Sequence, residues 1–171
     1  MATLNVSDLN RQGKVFVGAN VSAKSVIAVT ASMTGLILWN PPSYNKKLVL
    51  IDWGFAYTTA PAAVHNLGLG VMTASTVLPT SLTVAGRSAT AADGSGNVGQ
   101  GIVWDAATLP AAPVAVRWSF GLSTAAASVV EGFQDRVDGS IVLVPGAALA
   151  AIAVTTTAVG MASFTWAELS V

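Results

Sequence analysis

The chain has 171 residues, of which 53% are hydrophobic and only 9% charged, and its eight basic and eight acidic residues cancel to a formal net charge of zero. An ordinary soluble domain is about 25% charged, so long-range repulsion does not hold copies of this chain apart, and a membrane or other subunits must cover its weakly polar surface. No cluster of Lys and Arg is available for a phosphate backbone, which argues against nucleic acid. The absence of cysteine excludes disulfides, thiolate metal sites and a thiol nucleophile.

Residues 1–13 are polar, without a clear period and without the basic start and apolar core of a secretory signal. They read as an N-terminal arm ahead of a single domain spanning 14–171, a length that fits one sizeable core. From Val15 onward the hydrophobic period is two. Strands are expected at Val15–Asn20, Ser25–Val29 and Leu36–Asn40, followed by the stop Asn40-Pro41-Pro42-Ser43, since proline has no donor for a ladder.

Lys47–Tyr57 alternates strictly, with Val49, Ile51, Trp53, Phe55 and Tyr57 on one side and Leu48, Leu50, Asp52, Gly54 and Ala56 on the other. Further strands are expected at Val64–Thr73, Ser81–Arg87 and Ile102–Trp104. In Val114–Leu122 every large apolar residue again shares one face, opposite Ala115, Arg117, Ser119 and Gly121. The period therefore predicts that Trp53 and Trp118 are core. Ala125–Phe133 has enough alanine for a helical turn or two. Ile141–Val144, bracketed by the turn dipeptides Asp138-Gly139 and Pro145-Gly146, is a strand, as are Leu149–Thr155 and Met161–Leu169. Many short strands separated by turns predict an all-β, single-domain β-sandwich, jelly roll or barrel. The uncharged stretch between Asp138 and Glu168 is cut by Pro145-Gly146 and by Thr155-Thr156-Thr157. It reads as strands rather than as a spanning helix, which needs about 20 apolar residues.

Chemical motifs are few. Gly94-Ser95-Gly96-Asn97-Val98-Gly99 matches the letters of a dinucleotide fingerprint but runs into a strand rather than opening a helix, so it reads as a hairpin loop. The same loop offers Asp93, Ser95 and Asn97 as oxygen donors for calcium, yet Val98 and Trp104 stand where an EF-hand loop needs glycine and glutamate. His65 is the single histidine, and no Gly-x-Ser-x-Gly elbow accompanies it. Glu131, Asp135 and Asp138, with Arg136 among them, read as a solvated loop carrying a local ion pair. No cofactor, no metal and no catalytic residue is expected. Trp39, beside Asn40-Pro41-Pro42, and Trp104, beside Asp105, are the tryptophans expected at a surface. With Pro41, Pro42 and Tyr44 they make the expected interface.

Three islands carry a resemblance. Leu36-Ile37-Leu38-Trp39-Asn40-Pro41, with Lys46-Lys47 and Leu48-Val49-Leu50-Ile51 after it, resembles a signature of small β-rich structural proteins of tailed bacteriophages. Asp138-Gly139-Ser140 through Pro145-Gly146-Ala147 resembles their apolar strand and turn, and Phe164-Thr165-Trp166-Ala167-Glu168-Leu169 their terminal strand. The resemblance implies a jelly-roll-like β-sandwich, a non-enzymatic decoration or cement protein on the capsid surface of a virion. It implies partners in its own copies, as a homotrimer, and in the major capsid protein or other virion proteins, with no nucleic acid and no membrane. The alternative reading is a carbohydrate-binding or adhesin-type β-sandwich module that uses exposed aromatics.

Overall fold

The computed structural model describes residues 5–60, 63, 65–81, 86–122, 132–154 and 158–170. Among them one short helix, α1 (Val6–Arg11), precedes the strands β1 (Val15–Ala19), β2 (Lys24–Val26), β3 (Ser32–Met33), β4 (Ile37–Trp39), β5 (Lys46–Tyr57), β6 (His65–Met72), β7 (Thr80–Ser81) and β8 (Arg87–Ala91). They continue with β9 (Val98–Trp104), β10 (Ala107–Thr108), β11 (Val114–Leu122), β12 (Gly132–Arg136), β13 (Val142–Leu143), β14 (Ala148–Ala153) and β15 (Ala158–Ser170). Twelve strands form one antiparallel sheet in the order β11-β6-β14-β4-β9-β8-β1-β15-β5-β12, with β13 added on β5 and β2 on β15. This sheet curves almost into a barrel, so the all-β, single-domain reading holds. A small second sheet, β3-β10-β7, shares no ladder with it but packs on its outer face through Met33 and Ala107.

Three apolar layers hold the fold. The interior is filled by Phe16, Leu38, Leu48, Leu50, Trp53, Phe55, Leu67, Leu69, Phe164 and Trp166. On the opposite face of the same strands, Ile37, Trp39, Met72, Ala148, Ala150 and Ile152 form a second layer with Met33, Ala107 and Leu109. Successive side chains alternate across a strand, so a sheet covered on both sides reads as nearly continuous apolar sequence. β14, Ala148–Ala153, is buried at every position for that reason. The third layer joins Val15, Val49, Ile51 and Ala167 to Val6 and Leu9 of α1. The described part of the N-terminal arm thus folds back on its own strands. Asn5 caps α1 through Oδ1, which accepts the Asp8 N–H at 3.4 Å.

The alternation in β5 is not the one expected. The ladder between β5 and β15 slips between Thr165 and Trp166, which pair with Asp52 and Leu50 and leave Ile51 as an extra residue. A bulge of this kind moves every later side chain to the other face. Leu48 and Leu50 therefore share the interior with Trp53, Phe55 and Tyr57, while Val49 and Ile51 turn outward under α1.

The turns follow their sequence. Asp138 and Gly139 both have positive φ, 49° and 79°, in a tight turn closed by Ser140 N donating to Val137 O at 3.1 Å, between β12 and β13, which both pair with β5. Pro145-Gly146 makes a turn closed by Ala147 N donating to Val144 O at 3.0 Å, with Gly146 at φ 88°. Gly94 and Gly96, at φ 74° and 76°, serve the loop that joins the antiparallel neighbours β8 and β9, as the hairpin reading requires. The uncharged stretch after Asp138 forms β13, β14 and most of β15, and among the described residues no helix is long and apolar enough to cross a membrane. The alanine-rich residues 123–131 lie outside the described part, while Phe133 belongs to β12.

Candidate interaction surface

Ion pairs within the chain absorb most of its few charges. Arg11–Asp8, Lys46–Glu168, Arg87–Asp105, Arg117–Asp135 and Arg136–Asp138 lie between 2.6 and 3.8 Å apart. The side chains of Glu168 and Asp105 are fully buried. Glu168 Oε1 accepts the backbone N–H groups of Gln100 at 2.7 Å and Gly101 at 2.9 Å, and its Oε2 meets Lys46 Nζ at 3.3 Å. Asp105 takes Arg87 Nη2 at 2.6 Å and the Val21 N–H at 3.3 Å. Burying a carboxylate is tolerable only when it is paired and hydrogen-bonded in this way. Both acids are thereby committed to joining strands. The loop read as a possible calcium ligand is committed too. Asp93 Oδ1 accepts Ser95 N–H at 2.9 Å, Ser95 Oγ accepts Asn97 N–H at 3.3 Å, and the Ser95 side chain, followed by its N–H, lowers the Asp93 pKa. Among the described residues no three His, Cys, Asp or Glu side chains gather as a metal site would need.

The islands that carried the resemblance meet in space. Asn40 Nδ2 donates to Lys46 O at 2.9 Å and to Leu143 O at 3.0 Å, while its backbone exchanges hydrogen bonds with Ala147 O and Gly146 N. The pairing of Lys46 with Glu168 adds the terminal strand to this knot. Trp39, at 4% exposure, lies in the second apolar layer, and Pro41 is buried as well. Pro42, Tyr44 and Trp104 are half-buried, and the Trp39 and Trp104 indole N–H groups are buried without an acceptor. The residues expected at an interface are thus largely consumed by the chain's own packing. Asn40 cannot release its neighbours without losing four hydrogen bonds.

Where the sequence reading placed core, the structure presents surface. On β11, Val114, Val116 and Trp118 are 66%, 51% and 47% exposed. The correction has the same cause as in β5. The ladder between β11 and β6 is irregular between Ala115 and Arg117 and again between Trp118 and Phe120. The first irregularity aligns Arg117 with Leu69, an interior residue, and Trp118 with Gly68. The Trp118 ring rests over Gly68, where an added Cβ would stand 2.7 Å from Cε3. Only glycine leaves space for the indole there.

Arg117 and Ser119 instead close the seam between the two ends of the sheet. Arg117 grips Asp135 of β12 with Nε at 2.7 Å and Nη2 at 2.8 Å, a two-point geometry that suits guanidinium and carboxylate. Trp53 Nε1 donates to Ser119 Oγ at 3.1 Å, and Phe133 meets the Trp53 ring edge-on at 4.9 Å between centroids. Asp135 therefore belongs to a strand and pairs across the seam rather than lying in a solvated loop, while Arg136 makes an exposed local pair with Asp138 at 3.8 Å. Beside the seam, Val71, Val116, Arg117, Ser140 and Ile141 line a cleft of about 370 Å³.

The Arg117 hydrogen bond holds the Asp135 carboxyl below its ordinary pKa, against the opposing effect of partial burial, with Ser119 and Trp53 contributing further. A carboxyl whose folded pKa is depressed adds stability above its unfolded pKa of about 3.9 and loses it as pH falls through the folded value. Thermal melts of the wild type should therefore fall more steeply below about pH 4 than those of Asp135→Asn, which has no such proton to take up. Parallel melting curves through that range would show that the seam contributes no acid sensitivity.

His65 enters β6 by its backbone, and its side chain is outside the described residues. No protein-family model matches this chain, and no curated protein or solved structure matches it.

Proposed function

We propose that this chain is a non-enzymatic structural protein that works by assembly, of the virion decoration or cement kind that its sequence islands resemble. In that role it joins its own copies and a capsid shell, adding contact area across subunit joints. The observation that carries the reading is the exposure of three large apolar side chains, Val114, Val116 and Trp118, within one end strand of a chain that spends most of its ionic groups internally. Exposed apolar side chains are ordinary when scattered singly over a surface, whereas three within five residues favour a strand made to be covered. The acids support the same reading, since Glu168, Asp105 and Asp135 are saturated by partners within the fold. Mass spectrometry of particles purified from the source that encodes the chain tests this directly. The expected result is the chain at high copy in intact particles; its absence from them would overturn the proposal.

One observation favours a second reading, a carbohydrate-binding module. Trp118 is a half-exposed indole lying over a glycine, a flat apolar face of the kind on which sugar rings stack. Glycan-array binding that is lost in Trp118→Ala would favour that module over the assembly protein.

A further inference from the structure

We infer that α1 is a releasable strap. It covers an apolar patch on the outer face of β1, β15 and β5, and it swings off that patch through a hinge at Gly13 while the sheet stays folded. The inference goes beyond the assembly reading and does not rest on it.

The patch is built by register. Val15 lies opposite Ala167 and Ala167 opposite Val49, so the three side chains form one row across adjacent strands. The bulge in β5 adds Ile51, turned to the same side. Beneath α1 all four are buried, none more than 7% exposed. Farther along the same face Val17, Ala19 and Ser163 are exposed. The covered area is therefore the footprint of the helix.

The strap is held weakly. α1 has six residues, and none of them is buried. Isolated helices shorter than about 12–15 residues are marginal in water, so this one persists by seating Val6 and Leu9 on the patch. Its polar contacts are its own. Asn5 and Arg11 both reach Asp8, and the N–H groups of Leu9, Gln12, Gly13 and Lys14 all donate within the segment. Among the described residues no hydrogen bond or ion pair joins 5–12 to the sheet, and Asn10 Oδ1 is buried without a donor. Two half-buried aliphatic side chains tie the strap down.

The hinge is equally local. Lys14 O accepts Glu168 N–H at 2.9 Å, which anchors the chain to the sheet immediately after the strap. Between anchor and helix stands Gly13 at φ 63°, a conformation that glycine adopts without steric cost. Rotation there breaks no bond of the sheet. What opening presents is fixed by what the patch already holds: a seat for two aliphatic side chains three residues apart on one helical turn.

The test is hydrogen exchange on the full chain, with binding of an apolar dye as a second readout. In the wild type the amides of Gln12, Gly13 and Lys14 should exchange at least about 100-fold faster than those of β15, which is laddered on both sides. Leu9→Asp removes one of the two anchors. It should speed strap exchange at least about 10-fold and raise dye binding, while β15 stays protected and the circular dichroism of the sheet is kept. Gly13→Ala keeps both anchors and strains the hinge, where its Cβ would also stand 2.9 Å from Asn97 Nδ2. It should move the same readouts in the same direction, by at least about 5-fold in exchange. Strap and β15 amides that exchange together, or dye binding that neither variant raises, would overturn the inference. Every readout is made on the isolated chain, so failure here leaves the virion role standing, and failure of that role leaves the strap.

Discussion

Glu168→Ala should destabilise the fold by about 3–5 kcal/mol, the range for removing one member of a buried ion pair. For a chain of this length that is a fall of about 10 °C or more in melting temperature. The cost arises mainly at the groups left behind. Two backbone N–H donors, those of Gln100 and Gly101, lose their acceptor, and the Trp166 indole N–H loses a contact at 3.4 Å. Each buried donor left without a partner costs about 1–3 kcal/mol. Lys46 adds little, because its side chain is one-third exposed and can turn to water. Glu168→Gln separates the two contributions. It keeps an oxygen for the two N–H groups and loses only the charge, so its loss should stay near about 1 kcal/mol. Equilibrium denaturation of both variants reads this directly. Similar small losses in both would mean that Glu168 does not organise the junction of β9 with β15.

Trp53→Ala should cost a similar amount, about 3–5 kcal/mol, through the cavity left by a fully buried indole. It should also loosen β11 selectively. Trp53 belongs to β5 but reaches across the seam to Ser119, so its loss frees one of the two side-chain ties on the sheet end. Hydrogen exchange should show β11 amides losing protection ahead of those of β15, which retains its ladders to β1 and β5. Trp53→Phe keeps most of the packing and removes the indole donor. Combined with Ser119→Ala in a double-mutant cycle, it should give a coupling of about 1 kcal/mol. Additive effects would dissolve the link between Trp53 and the seam. Uniform loss of protection across the sheet would show that β11 is held by its ladder to β6 alone.

Much of the fold was legible as a pattern. The two-residue period in Val15–Asn20 and Met161–Leu169, and the turns at Asp138-Gly139 and Pro145-Gly146, depend on local sterics that each residue carries with it. Four strands escaped that reading, the two-residue β3 and β10 and the longer β8 and β12. β8 opens at Arg87, the last residue of an expected strand, and continues through small, polar residues to Ala91; β12 opens on Gly132 and contains Gln134, Asp135 and Arg136. Neither stretch has an apolar alternation strong enough to announce a strand. Both are strands because a neighbour offers its ladder, β9 and β1 for one and β5 for the other.

Two of the residues expected at an interface, Trp39 and Pro41, are buried for a related reason. Trp39 and Pro41 stand beside a proline stop, which locally suggests a surface. A loop is drawn inward, however, when a distant segment supplies its hydrogen bonds, as Leu143, Gly146 and Ala147 do for Asn40. The signal that could have found the exposed side chains of β11 was the pairing of large apolar residues with Arg117 in one short strand. It shows that one face must hold a charge, without saying which face is wet.

The amino-acid sequence by itself determined that this protein is all β, poorly charged and built from short strands between tight turns. These properties follow from side-chain chemistry, backbone sterics and the period of alternation. Which face of each strand is buried was decided only by the tertiary structure. An extra residue at Ile51, and the irregularities within Val114–Leu122, exist only against a partner strand, and each moves all that follows to the opposite side of the sheet. The same tryptophan-bearing alternation thus became core in β5 and surface in β11.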